Sequence, residues 1–394
     1  MSATSQSFRL SKADLTEPPR IAVIGAGVAG AACAAGLLRA GFDVTVFDKS
    51  RGVGGRMATR QAQWTDSSGI ASAAPFDHGC PHFTASRPRF RALVERAEKL
   101  GTVARWRQRV YATFPAPRVR HVVVPMPDMP AFCQHLLSGA PLCLGNEVTG
   151  LRHSTDGWHL RFGNDSAKVA EHEGIEGPFA QVVLAIPPAQ AAMLLTGHHD
   201  DWAAALAAVR MAPCWTLMAV SDDLDWPWDA AEPERGVLAW IGRNDRKPGR
   251  AAAIRGPHSG TVQWVAHATP AWSLAHLDDE PARVTETLRD ALGRLLRSGQ
   301  CLRWHHVKVQ RWRYAQLAQR ASGGFDCWWD ARLGLSICGD SFGDGSVEAR
   351  CSGDELADAV AASFDALPGP TPTSRPTPLP ELDGAADPVN WRIS

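Results

Sequence analysis

The strongest constraint on how this chain can fold lies between residues 20 and 30. Arg20-Ile21-Ala22-Val23-Ile24 has the β-branched character of a strand, and it runs directly into Gly25-Ala26-Gly27-Val28-Ala29-Gly30, a G-x-G-x-x-G spacing. The three glycines serve different ends. Gly25 permits a tight turn, Gly27 lets backbone approach a pyrophosphate, and Gly30 lets the next helix pack closely on the strand. Past Val28, that helix is expected from Ala29 along an Ala/Leu-rich run to about Ala40, before Gly41. Its N-terminal N–H groups and dipole favour a diphosphate. A second strand, Val44 to Phe47, then delivers Asp48, with Lys49 beside it, about 20 residues beyond the fingerprint, where a carboxylate accepts hydrogen bonds from a ribose. Strand, glycine turn, helix, strand and acid in this order predict a dinucleotide-binding unit.

A second glycine-rich turn, Arg51-Gly52-Val53-Gly54-Gly55-Arg56, follows at once. Its bare backbone, Gly55 included, can pass close to the same dinucleotide, and Arg56 offers a two-pronged donor to phosphates. A plain nicotinamide-dependent dehydrogenase has no need of such a turn, so the expected cofactor is FAD.

These two turns, Phe76-Asp77-His78-Gly79, and Leu335-Ser336-Ile337-Cys338-Gly339-Asp340 together resemble the flavin amine oxidase superfamily. Trp264-Val265-Ala266-His267-Ala268-Thr269, Trp272-Ser273 and Arg311-Trp312-Arg313-Tyr314-Ala315 resemble its renalase-like branch, and the likeness extends from about Arg20 to Phe364. It implies an α/β fold: a Rossmann-like FAD-binding domain interleaved with an α+β substrate domain built on an antiparallel sheet. The expected division is 1–19 as a disordered extension; 20–60, 120–190 and 332–366 as the FAD domain; 61–119 and 191–331 as the substrate domain; and 367–394 as a disordered Pro-rich tail. The resemblance also places His78 and Gly79 along the flavin ring, Val148 beside the adenine, Gly339 and Asp340 at the ribityl–diphosphate, and Val347 and Glu348 in a helix whose N-terminus faces the pyrimidine edge. Cys80-Pro81-His82 departs from the family's usual run at that point.

Length and charge narrow the partners. A chain of 394 residues buries a large core, and zero formal net charge gives no long-range attraction to nucleic acid or an anionic membrane. No apolar run approaches the ~20 residues of a membrane span, and Met1 to Pro19 has no secretory apolar core. Nine cysteines include no C-x-x-C pair or zinc-like grouping, so free thiols in a reducing cytoplasm and no metal site are expected.

Along the chain, Gln61 to Ala74 reads as a loop, Arg89 to Leu100 as a helix and Val122 to Val124 as a strand. Asp128 caps a helix from Met129 to Ser138, Leu142 to Leu151 is β, Trp158 to Phe162 is a half-exposed strand, and Gln181 to Ile186 is a buried one. Ala203 to Val209 is helical, Cys214 to Val220, Leu238 to Ile241 and Thr261 to His267 are strands, and a helix from Val284 to Leu296 buries Val284, Leu288, Leu292 and Leu295 at helical spacing. Gly334 to Asp340 is a strand and Val347 to Ala362 the final helix. Leu367 to Pro380, with its recurring prolines, excludes a helix or internal strand.

Three functions fit. A renalase-like oxidase would take hydride from dihydronicotinamide isomers of NAD(P) onto non-covalent FAD and return it to O2 as H2O2; a dihydropyridine is already an activated donor, so positioning carries the rate. An amine oxidase would enclose its substrate nitrogen in aromatic rings, for which the chain has two tyrosines and fifteen tryptophans. A flavin-binding protein without turnover is the third. Candidate catalytic residues are His267, which alternates with Val265 and Gln263 on its strand, His82, and Trp272 as a pocket wall with Trp240; each histidine also fits a structural role, and each tryptophan core packing. The basic turn Gly242 to Arg250 is a candidate for phosphates or a solvated loop.

Overall fold

The computed structural model describes residues 17–365 apart from 66–68, 70, 113–117, 164–173, 251–259, 297–301, 322–325, 344–345 and 348–352. The expected N-terminal extension (but for 17–19), the Pro-rich tail and Glu348 therefore lie outside the described residues. In chain order the elements are β1 (Arg20–Ile24), α1 (Val28–Arg39), β2 (Asp43–Asp48), β3 (Thr59–Thr65), β4 (Ala71–Asp77), α2 (Pro88–Lys99), β5 (Val103–Ala112), β6 (Arg118–Pro125), α3 (Ala131–Leu136), β7 (Leu142–Leu144), β8 (Val148–Ser154), β9 (Gly157–Phe162) and β10 (Ile175–Phe179). There follow β11 (Gln181–Leu184), α4 (Pro188–Leu195), α5 (Asp200–Ala207), β12 (Arg210–Asp222), β13 (Ala230–Glu232), β14 (Leu238–Arg243), β15 (Thr261–Ala268), α6 (Pro270–Ala275), α7 (Pro281–Leu296), β16 (Trp304–Gln319), β17 (Cys327–Asp330), β18 (Leu335–Cys338) and α8 (Gly353–Asp365).

Two large sheets result. The first runs β17-β18-β11-β1-β2-β7, parallel except at β17. Its central strands β1, β11 and β18 are almost wholly buried, which is why they read as continuous apolar runs with no alternation. Helix α1 lies against it and against α8, where a Cβ on Gly36 would meet Ala357 Cβ at 2.5 Å. The second sheet runs β16-β12-β15-β14-β13-β5-β6 and is antiparallel except for the parallel pair β13–β5. Helix α7 and the Trp215, Leu217 and Trp264 cluster cover one of its faces; Met218, Val265 and Trp240 pack on the other with Ala62, Ala74 and Phe76. No helix of the described residues is long and apolar enough to cross a membrane.

Several expectations need correction. Gln61 to Ala74 is not a loop: Thr59 to Thr65 pairs with Ala71 to Asp77 as the β3–β4 hairpin. Small residues, Ala62, Ser72 and Ala74, hold most of its inward positions, so the period of two carries little hydrophobic contrast. The β run from Leu142 to Leu151 is two strands in different sheets, broken where Gly145 takes a φ of 72°. In α7 the buried face is Val284, Leu288, Ala291 and Leu292, whereas Leu295, in the last turn, is 48% exposed. Val347 is helical as expected, residues 348–352 lie outside the described ones, and the described part of the final helix is Gly353–Asp365. The boundary expected between 119 and 120 falls inside β6, and β17 pairs into the first sheet although 191–331 was expected in the substrate domain.

Candidate functional site

A cleft of about 1070 Å³ opens at the carboxyl ends of β1, β2, β11 and β18 and is bounded on its far side by β16, the edge of the second sheet. This is where open parallel sheets bind ligands. The sequence fingerprint supplies one wall: Gly25, Gly27, Val28, Ala29, Asp48, Lys49, Gly55, Arg56, His78, Val148, Gly339 and Asp340 all line it.

The glycines divide as the spacing implies. Gly25 has φ 114°, and a Cβ there would collide with the Ala185 carbonyl; a Cβ on Gly30 would collide with the carbonyl of Gly25. Gly79 lies behind the wall in the same way, against the Arg56 carbonyl, and Val347 packs in the α1 core. Gly27 differs. Its φ is −75°, and its Cβ would meet no atom of the protein within 4 Å, only cleft. The two glycine turns dock on each other through a Gly27–Gly54 bridge and the Gly54 N–H, which donates to Ala26 O at 2.9 Å. Gly27 caps α1 without a side-chain hydrogen bond, so the first N–H groups of a twelve-residue helix face the cleft. Asp48 accepts from the N–H of Ala26 and of Ser50, both at 2.7 Å, and is thereby fixed against the fingerprint while lining the cleft. A cavity just above the usual range for small-molecule and cofactor sites, roughly 300–1,000 Å³, with an uncapped helix end and a backbone wall without Cβ atoms, fits an extended dinucleotide such as FAD.

Arg56, expected to fork onto phosphates, is directed at the protein. It donates to the carbonyls of Tyr314 at 3.2 Å and Ala315 at 3.1 Å and pairs with Asp340, tying β16 to the loop after β18. Lys49 faces Glu147 at 3.6 Å. His78 gives its carbonyl to the Trp312 indole N–H at 2.9 Å, and burial, with the neighbouring Arg60 charge, pushes its imidazole down to about 4.

His82 and His267 are brought together, but behind the cleft rather than on its wall. The Trp240 ring lies 5.2 Å from His267 and 6.1 Å from His82. Gln310, Thr216, His267 and Trp240 form one row across β16, β12, β15 and β14, starting at the cleft and running inward. Burial, then the Lys247 charge, hold both imidazoles neutral: His82 well below its usual value and His267 down to about 3. Trp272 is not part of this group. It sits on α6, 4.4 Å from the His276 ring, against the core on the opposite face of the sheet.

The basic turn is not a phosphate loop. Arg243 pairs with Asp245 at 2.8 Å, Arg246 with Asp229 at 3.3 Å, and Lys247 and Arg250, both fully buried, clasp Asp77 at 2.9 and 3.0 Å. Asp77 and Asp229 lie outside the run, and Asp245 is hidden in it as ordinary loop charge. Sequence reasoning missed Thr59, Arg60 and Gln310, which also line the cleft. The signal for Gln310 was its i, i+2 phase with Trp312 and Tyr314 on β16; Arg60 could have been found as the next arginine after the second glycine turn.

A family model described as an NAD(P)-binding Rossmann-like domain matches residues 23–97. Among solved structures, a putative protoporphyrinogen oxidase from Exiguobacterium sp. 255-15 aligns over 88% of this chain and 99% of its own, with TM-score 0.64 and 11% identity. Cyclohexylamine oxidase from Brevibacterium oxydans IH-35A aligns over 89% and 100%, with TM-score 0.62 and 12% identity. A wild-type putrescine oxidase bound to putrescine aligns over 88% and 99%, with TM-score 0.55 and 11% identity. At such identities the likeness establishes the fold, Rossmann-like unit and second sheet together.

Proposed function

We propose that the cleft holds one non-covalent FAD and that the chain is an oxidoreductase whose hydride donor is a dihydronicotinamide isomer of NAD(P), with O2 as final acceptor. FAD supplies a two-electron acceptor when bound. The chain's own residues bind and orient: the α1 N-terminus and bare Gly27 backbone take the diphosphate, Asp48 the ribose, and Gly339 and Asp340 line the cleft beside the α1 N-terminus. Hydride leaves the dihydropyridine ring carbon; both electrons end on O2, which takes up two protons to become H2O2. A neutral His78 at the wall does not repel a cationic product ring, and Trp312 and Tyr314 of β16 give the cleft aromatic surface on their side.

The observation that carries the substrate reading is the charge of the wall. Lys49, Arg56, Arg60, Arg311 and Arg313 line the cleft against Asp48, Glu147 and Asp340. That surplus attracts a phosphate-bearing dinucleotide and repels a protonated amine. The amine oxidase reading has its own support: Trp312 and Tyr314 alternate on one strand in the cleft, as two sides of an aromatic cage would, and two structural neighbours are oxidases named for putrescine and cyclohexylamine.

Anaerobic stopped-flow absorbance of the purified yellow protein decides between them. The 2- or 6-dihydro isomers of NAD(P) should bleach the flavin band rapidly, and ordinary β-NAD(P)H and simple amines slowly, because only an isomer whose hydride carbon sits about 3–3.5 Å from flavin N5 is in attack position. Rapid bleaching by amines alone would establish the amine oxidase reading, and bleaching by neither a binding protein. Acid precipitation should release the flavin into the supernatant.

A further inference from the structure

Five cationic side chains line the cleft, and their partners differ. Lys49 faces Glu147, Arg56 pairs with Asp340, and Arg311 and Arg313 both reach Asp278, at 3.3 and 2.6 Å. Among the described residues Arg60 alone of the five has no acidic partner. Its Nη2 donates to Gln310 Oε1 at 2.8 Å, a neutral acceptor, and the Gln310 amide nitrogen is itself anchored on the Arg311 carbonyl at 3.2 Å. The backbone is held as well: Arg60 pairs with Phe76 in the β3–β4 hairpin, and the adjacent Thr59 hydroxyl donates to Asp77 at 2.7 Å.

We propose that Arg60, oriented by Gln310, is the residue that recognises a phosphate of the substrate and so sets its specificity. The inference rests on the reading of the cleft as an FAD site that also admits a phosphate-bearing donor. A half-buried guanidinium held by a neutral amide keeps its full charge and most of its donors, in a planar fork that matches a phosphate. Of the other four cations, Lys49 and Arg56 each face a carboxylate, and Arg311 and Arg313 share Asp278. Because Arg60 also helps to keep His78 neutral, an arriving anion meets a fixed positive charge at Arg60 and none at His78. A substrate lacking the anion would leave Arg60 desolvated and unmatched, which is how a polar site rejects an analogue.

The test uses the full-length, flavin-loaded protein, titrated with NAD+ and with inorganic phosphate while the visible flavin spectrum is followed. In the wild type, phosphate should antagonise NAD+. Arg60→Met should keep the flavin-to-protein ratio and melting temperature, raise the NAD+ dissociation constant at least tenfold and abolish the antagonism; Arg60→Lys should recover part of the affinity but not all. An unchanged constant in Arg60→Met overturns the proposal. So does loss of flavin in parallel, which would give Arg60 to the cofactor's own diphosphate, and so does stronger antagonism by benzoate than by phosphate, which would mean carboxylate recognition. Should Arg60→Met fail to fold, Gln310→Leu gives the same reading: the NAD+ constant rises if Gln310 orients Arg60 and stays put if it does not. If NAD+ fails to bind the wild type while phosphate binds and Arg60→Met abolishes it, the substrate reading falls and the anion site stands.

Discussion

Replacing Asp77 by asparagine should unfold this protein at a much lower temperature, and the structure says by how much. Asp77, Lys247 and Arg250 have fully buried side chains, with the carboxylate 2.9 Å from one cation and 3.0 Å from the other. Burial pushes the Asp77 carboxyl up, but Lys247 and Arg250 outweigh it and hold the group below its usual value. Lys247 is pushed down, because burial outweighs its attraction to Asp77. Removing the carboxylate leaves two like charges in a dry site, and breaking a buried pair in this way costs about 3–5 kcal/mol. At about 2–4 °C per kcal/mol for domains of 150–250 residues, the melting temperature should fall on the order of 10 °C. Circular dichroism melts of three variants test the cause. Lys247→Met alone should be mild, since Arg250 still serves Asp77. Asp77→Asn with Lys247→Met should regain at least half of the loss, since Arg250 keeps the carbonyls of Pro125 and Pro127 at 2.8 and 2.6 Å. A depressed carboxyl stabilises above its unfolded pKa and stops doing so as pH falls through its folded value, so the deficit of Asp77→Asn should shrink in strong acid. An Asp77→Asn variant melting within about 2 °C of wild type, or a double variant losing the sum of both, would refute the reasoning.

Gly25→Ala should lower stability, because φ is 114° and a Cβ collides with Ala185 O, whereas Gly27→Ala should melt like wild type and purify with less flavin, its Cβ having only the cleft to occupy. His78 and His267, held down to about 4 and about 3 by burial, are protonated in the unfolded chain before the folded one, so stability should decline as pH drops below about 6.5, in urea melts from pH 8 to 4. Cys133 and Cys214, their thiols pushed up to about 12 by burial, should remain unmodified by a disulfide reagent at pH 8 until denaturant is added.

The parts legible in sequence are those whose causes are local. The fingerprint could be read residue by residue because a turn, a close approach and an uncapped helix end each need a particular residue at a particular place. β11 was legible for a related reason: a strand buried on both faces is simply an apolar run. The β3–β4 hairpin was not, because Ala62 and Ala74 bury little surface and show no contrast with their neighbours, although their pairing builds the wall on which Arg60 sits.

Charge is where sequence reading failed, and the failure follows from how electrostatics works in a folded chain. Arg243, Arg246, Lys247 and Arg250 look like a phosphate loop because a run of cations shows its sign but not its counter-charges. Asp77 lies 170 residues from Lys247, and only the packing of the β4 end against the β14–β15 connection brings them to 2.9 Å. Arg60 is the converse. In sequence it is one arginine beside a polar segment, yet every acid of the described fold that would have paired with it is elsewhere, so its charge survives folding. Which cation is spent inside the protein and which remains for a ligand is decided by contacts across the chain. A basic run is therefore weak evidence for a phosphate site, and a single arginine held by a neutral amide in a cleft is stronger evidence than the run.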